Sequence, residues 1–126
     1  VGFGLGLDLT LRDLQNQLKE KSQPWEMAKS FDGACPLSDF VEPNSIADIT
    51  DQVIELSING EVRQKGSTSQ MLWPVNSLIQ YISNYFTLLP GDVVLTGTPA
   101  GVGALYKGDE LQLSLTDALT VNSKVL

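Results

Sequence analysis

Hydrophobic and polar positions alternate strictly over residues 1 to 9, VGFGLGLDL. Phe3, Leu5, Leu7 and Leu9 fall on one face; Gly2, Gly4, Gly6 and Asp8 fall on the other. This period of two predicts a strand. A strand patterned for a core from its first residue is expected to continue something longer upstream. The period then changes to that of a helix. Thr10 and Asp13 have the spacing of a capping box, and Leu11, Leu14 and Leu18 form an apolar stripe. The helix is expected to end near Lys21-Ser22, before Gln23-Pro24. Residues 24 to 35 read as a short helical turn and a glycine-containing loop. Pro36 to Val41 is a candidate strand, and Glu42 to Asp51 a surface loop.

The clearest hairpin lies further on. Val53 to Ile58 places Ile54, Leu56 and Ile58 on one face, and Asn59-Gly60 follows. That dipeptide suits a type I′ turn, in which both central residues take positive φ. Glu61 to Gly66 should return as a polar edge strand. Met71 to Phe86 reads as a second helix, with Met71, Val75, Leu78, Ile79, Ile82 and Tyr85 on its buried face and Pro74 in its first turn. Leu89 to Asp92 is a turn, Val93 to Thr96 a short apolar strand, and Thr96 to Gly103 a glycine-rich loop. Glu110 to Leu115 and Leu119 to Val125 should close the chain as an antiparallel pair. The elements predict an α+β fold, a strand-rich antiparallel or mixed β-sheet roll with two covering helices.

Composition narrows the chemistry. The chain has 126 residues, enough for one small core, and a net charge of −7 with the acids spread along it. Such a surface repels phosphate backbones, so no nucleic-acid partner is expected. Apolar runs reach about ten residues, too short to span a bilayer, and no secretory leader opens the chain. A cytoplasmic setting is the expectation, and the single cysteine, Cys35, excludes an internal disulfide. There is no histidine, so Ser-His-Asp chemistry and histidine-ligated zinc are excluded within these residues.

Four places carry candidate chemistry. Asp8 is a lone charge among apolar and small residues, where an unpaired buried carboxylate costs several kcal/mol. It is either a strand-end acid that caps the next helix or pairs with Arg12, or a metal ligand facing a pocket. Arg12 and Gln15 share one helix face. Arg12 is either an exposed surface residue or a fork for a substrate carboxylate. Lys29 lies in an uncharged stretch, Met27 to Phe31, and is either a surface lysine or a group that orients an enolate or a bound water. TGTPAGVG at 96 to 103 is either an anion-binding loop or a tight turn; it lacks the P-loop pattern.

Taken in order, LDLTLRDLQ at 7 to 15, PWEMAKSFD at 24 to 32 and GDVVLTGTPAGVG at 91 to 103 resemble the fumarylacetoacetate hydrolase family. The branch of acylpyruvate hydrolases and oxaloacetate decarboxylases or tautomerases is the most similar, and the match runs over all 126 residues. The resemblance implies Mg2+ or Mn2+ held by three carboxylates, with Asp8 as the third. It implies that Arg12 and Gln15 line the substrate pocket, that Lys29 acts on the enol or keto oxygen, and that Thr98 meets the carboxylate end. It implies a small 2-keto acid substrate, hydrolysis or C–C cleavage through a stabilised enolate, and a homodimer in the complete protein. The family's Glu-x-Glu pair and lid His and Glu have no counterpart in this sequence. Residues 1 to 126 are therefore expected to be one partial catalytic domain lacking its N-terminal portion, and inactive alone. A non-catalytic β-rich binding or assembly module is the alternative from a different class.

Overall fold

A computed structural model describes all residues, 1–126. The chain divides into two compact units, Gly6–Ser38 and Val1–Leu5 with Asp39–Leu126.

The larger unit is built on a four-stranded sheet of order β2-β1-β3-β4, with β1 Val53–Ile58, β2 Glu61–Ser67, β3 Glu110–Leu115 and β4 Leu119–Lys124. Every pairing is antiparallel. The predicted apolar face of β1 meets that of β3 across the ladder: Ile54 opposite Leu115, Leu56 opposite Leu113, Ile58 opposite Leu111. Leu56, Leu111, Leu113 and Leu115 are buried and form the heart of this core. Each buried leucine contributes roughly 1.5–3 kcal/mol of transfer free energy. As expected, Asn59 and Gly60 turn the hairpin at φ 52° and 82°, and β2 lies at the sheet edge.

The sheet is also tied at its hairpin tip. The Asn59 side chain donates to Asp109 Oδ1 at 2.9 Å and accepts from the Glu110 backbone N–H at 2.9 Å. Asp109 Oδ2 accepts from the Tyr106 N–H at 2.8 Å.

Several expectations are corrected. Val93 to Thr96 is an unpaired stretch, not a strand, and Val93 and Leu95 are exposed. The second helix, α3, spans Val75–Ser83, not Met71 to Phe86. Pro74 stands before it at ψ 149° as the N-cap, and its ring disfavours helical backbone at Trp73, so the helix does not extend back to Met71. None of its residues is buried; Tyr85 and Phe86 are largely exposed, and α3 makes no extensive contact with the sheet. Tyr81 instead meets Trp73 edge-on and Tyr85 at a tilt, with centroids 5.1 and 5.4 Å apart.

Residues 1 to 9 do not form a continuous strand. In the larger unit Phe3 bridges Val41, and in the smaller unit Gly6 bridges Leu37. Leu7 and Leu9 donate to the carbonyls of Pro36 and Ala34. The candidate strand at 36 to 41 is thus the partner of the first segment, reduced to isolated bridges. Helix α1 spans Arg12–Glu20 and α2 spans Glu26–Lys29. Thr10 does not cap α1: the N-cap is Leu11, with no side-chain bond. The smaller unit buries Leu18, Ala28 and Ala34.

The chain exposes 9120 Å², against about 6600 Å² for a folded monomer of this mass. No large side chain is wholly buried, and no helix is long and apolar enough to cross a membrane.

The hairpin tip gives a testable pH dependence. The Tyr106 N–H and then the Asn59 amide hold the Asp109 carboxyl below its ordinary value. A lowered native pKa means stability that is present above the ordinary carboxylate range and lost as pH falls through the lowered value. Carbon-13 titration should show Asp109 ionising below the ordinary value, and Asn59→Ala should move it upward. A midpoint at or above the ordinary value would refute the tie.

Candidate functional site

The smaller unit brings Asp8 and Lys29 together. Asp8 follows the bridge at Gly6 and is not itself strand-paired. Its neighbours Leu7 and Leu9 direct their N–H groups at the 34–36 segment, which fixes the local backbone. Lys29 ends α2, whose Ala28 is wholly buried and whose Ala28 carbonyl accepts from the Leu11 N–H. These bonds set the two side chains facing each other. Lys29 Nζ lies 2.5 Å from Asp8 Oδ1. The same ammonium donates to Thr10 Oγ1 at 2.8 Å and to the Leu9 carbonyl at 3.3 Å. An ammonium has three N–H bonds, and each has a protein acceptor here. The lysine side chain is 28% exposed and the aspartate 41%, so both remain reachable by a solute.

Asp8 was expected either to cap the helix, to pair with Arg12 or to face a pocket as a ligand. The structure supplies a different partner, Lys29. Arg12 instead donates through Nη1 to Gln15 Oε1 at 2.7 Å, so the two residues do share one exposed helix face. This bond orients the guanidinium while leaving its other donors free to take a planar anion. Lys29 also borders a shallow, open depression lined by Gln23, Pro24, Trp25 and Glu26, which includes neither Asp8 nor Arg12.

Thr98 belongs to the larger unit. It is exposed on the irregular segment 96–103, in which Gly97 and Gly101 take φ 137° and 99°. That segment rests on β2: the Pro99 carbonyl accepts from Gln64 Nε2 at 2.8 Å.

A carboxylate such as Asp8 is the right ligand type for Mg2+ or Mn2+. However, nowhere do three acids or cysteines gather closely enough to hold an ion. The 126 residues therefore do not make a metal centre by themselves.

Sequence reasoning missed Thr10, read as a helix cap but used as an acceptor for Lys29. It also missed Gln64. A glycine two positions later in a strand, Gly66, was the available signal, since such glycines mark close backbone approach.

Comparison with known proteins extends this picture. The chain is 49% identical to the oxaloacetate tautomerase of Escherichia coli K12, over 100% of this chain and 58% of that protein. It is 44% identical to the mitochondrial oxaloacetate tautomerase of Bos taurus, over 99% of this chain and 57% of the relative. Among solved structures, the fumarylpyruvate hydrolase of Pseudomonas aeruginosa, in complex with Mn2+ and pyruvate, superposes with a TM-score of 0.92 at 35% identity. That match covers 99% of this chain and 54% of the other. The chain thus spans little more than half the length of these relatives. The sequence model described as Fumarylacetoacetate (FAA) hydrolase C-terminal matches residues 1–126 from end to end. The family resemblance of the three motifs therefore holds, and the chain belongs to the fumarylacetoacetate hydrolase family.

Proposed function

We propose that this chain supplies part of an active site that processes small 2-keto acids such as oxaloacetate or an acylpyruvate. The observation that carries the reading is the Asp8–Lys29 pair, a carboxylate and an ammonium held together at a half-exposed site. The relatives named above add that proteins of this family act on such substrates.

In this reading Asp8 contributes one carboxylate to a divalent-metal site whose other ligands come from outside residues 1–126. When bound, the ion supplies Lewis acidity toward the keto oxygen. The chain's own residues do the rest. Arg12, oriented by Gln15, offers its fork to a substrate carboxylate; in the larger unit the exposed Thr98 hydroxyl is, by itself, a candidate contact for a carboxylate. Lys29 holds a proton near the site. It reaches an enol or keto oxygen only by exchanging one of its three acceptors, and Asp8 is the acceptor for which a cation competes. Lys29 thus balances the charge of Asp8 and, where a cation takes over that role, becomes a donor toward substrate. Enolate formation is common to tautomerisation, decarboxylation and hydrolysis. Tautomerisation of oxaloacetate is the reading that identity to the relatives favours.

Two measurements test this. In the intact protein, Asp8→Ala should lower oxaloacetate turnover by at least about a hundredfold and weaken Mg2+ binding, because one of a few oxygen ligands is gone. Near-normal turnover and affinity would remove Asp8 from the site. The isolated 126 residues should bind Mg2+ poorly, turn nothing over and self-associate, given their uncovered apolar surface. Calorimetry and light scattering read these out. Micromolar Mg2+ binding by a well-behaved monomer would favour the self-contained binding module.

A further inference from the structure

We infer that Gln64 is a positioning residue for Thr98, and that the bulged edge strand β2 is the platform on which the Thr98 segment is set. This rests on the reading of Thr98 as a substrate contact.

Three observations within the larger unit converge on β2. First, Leu56 faces Gln64 and Ser57 faces Val62, so the ladder slips by one and Arg63 is left without a partner. Such a bulge turns a strand locally and re-aims its groups. Second, the chain at Gly101 passes directly against that residue. A Cβ built on Gly101 would lie 2.0 Å from the Arg63 carbonyl oxygen, far inside contact distance, and Gly101 has φ 99°. Only glycine fits both demands. Third, the Pro99 ring lies over Gly66, where an added Cβ would be 3.0 Å from Pro99 Cβ.

Close packing at these two points is non-directional, and by itself does not fix the register of the segment along the strand. The half-buried Gln64 fixes it by donating to the Pro99 carbonyl at 2.8 Å. Thr98 directly precedes Pro99, and the residue before a proline is confined to extended backbone. Fixing Pro99 therefore fixes the peptide from which the exposed Thr98 hydroxyl projects. A contact misplaced by about an ångström loses much of its value to a bound substrate.

The test compares steady-state kinetics of the intact protein on oxaloacetate for Gln64→Leu, Gln64→Lys, Thr98→Val and the Gln64→Leu/Thr98→Val double variant. Gln64→Leu should raise KM about tenfold, the scale of one lost hydrogen bond, with kcat within about twofold. Gln64→Lys, which keeps a donor, should recover part of the loss. In the Thr98→Val background the Gln64→Leu effect should shrink to less than about twofold, since the two act through one contact. If Thr98→Val raises KM and Gln64→Leu does not, the positioning role is wrong and the Thr98 reading survives. An unchanged KM in Thr98→Val overturns that reading and the inference with it. A full Gln64→Leu effect in the Thr98→Val background shows Gln64 acting elsewhere. Should Gln64→Leu not fold, Gln64→Glu, of the same shape but without the donor, makes the same comparison and must raise KM similarly.

Discussion

The interaction that organises the smaller unit is the pairing of Asp8, a carboxylate in a run of glycines and leucines, with Lys29. Much of the smaller unit serves this pairing. The carbonyl of Leu9 and the hydroxyl of Thr10 complete the coordination of the ammonium, which ties the end of α2 to the segment leading into α1. The same segment is pinned from the other side by bonds to the 34–36 stretch. The pair is half-exposed, where ion pairs are worth about 0–1 kcal/mol. Its value is therefore not chiefly stability. It holds two opposite charges in one small, accessible place, ready for a third party to compete for one of them.

The larger unit obeys a different constraint. Its sheet is closed on the inside by isoleucine and leucine of β1 facing leucines of β3, while the edge strand β2 carries mostly polar side chains. An edge of unpaired backbone groups is normally blunted to prevent association. Here a bulge at Arg63 and the packing of Pro99 and Gly101 do so with a segment of the same chain. The device that guards the edge also fixes the loop bearing Thr98. One local irregularity thus links sheet architecture to a candidate binding residue.

Legibility in the sequence followed the range of the forces involved. The hairpin at Asn59-Gly60, the four strands and α1 were readable, because turn chemistry and apolar alternation are local. The length of α3 was not. Its apolar stripe from Met71 to Tyr85 suggested a longer buried helix, but the helix starts only after Pro74, Tyr85 is exposed, and the rest of the stripe is half-buried. The stretch Val93 to Thr96 was apolar enough for a strand, yet pairing needs a partner, which local pattern does not reveal. The same holds for the site. Asp8 and Lys29 could be singled out individually, but only the fold shows that they are partners and that Thr10 serves them. Arg12 was the nearer candidate for Asp8 in sequence and is bonded to Gln15 instead.

The exposed large apolar side chains around α3 and the lack of further acids beside Asp8 are two expressions of one condition. Large side chains such as Leu72, Trp73, Tyr85 and Phe86 gain stability only when something removes them from water. Asp8 holds a divalent cation only when other oxygens join it. Both deficits are met if further protein packs against this chain and brings carboxylates with it. Apolar burial would then provide the driving force for docking, and the docked surface would complete the ligand set. Site assembly and fold completion become a single event.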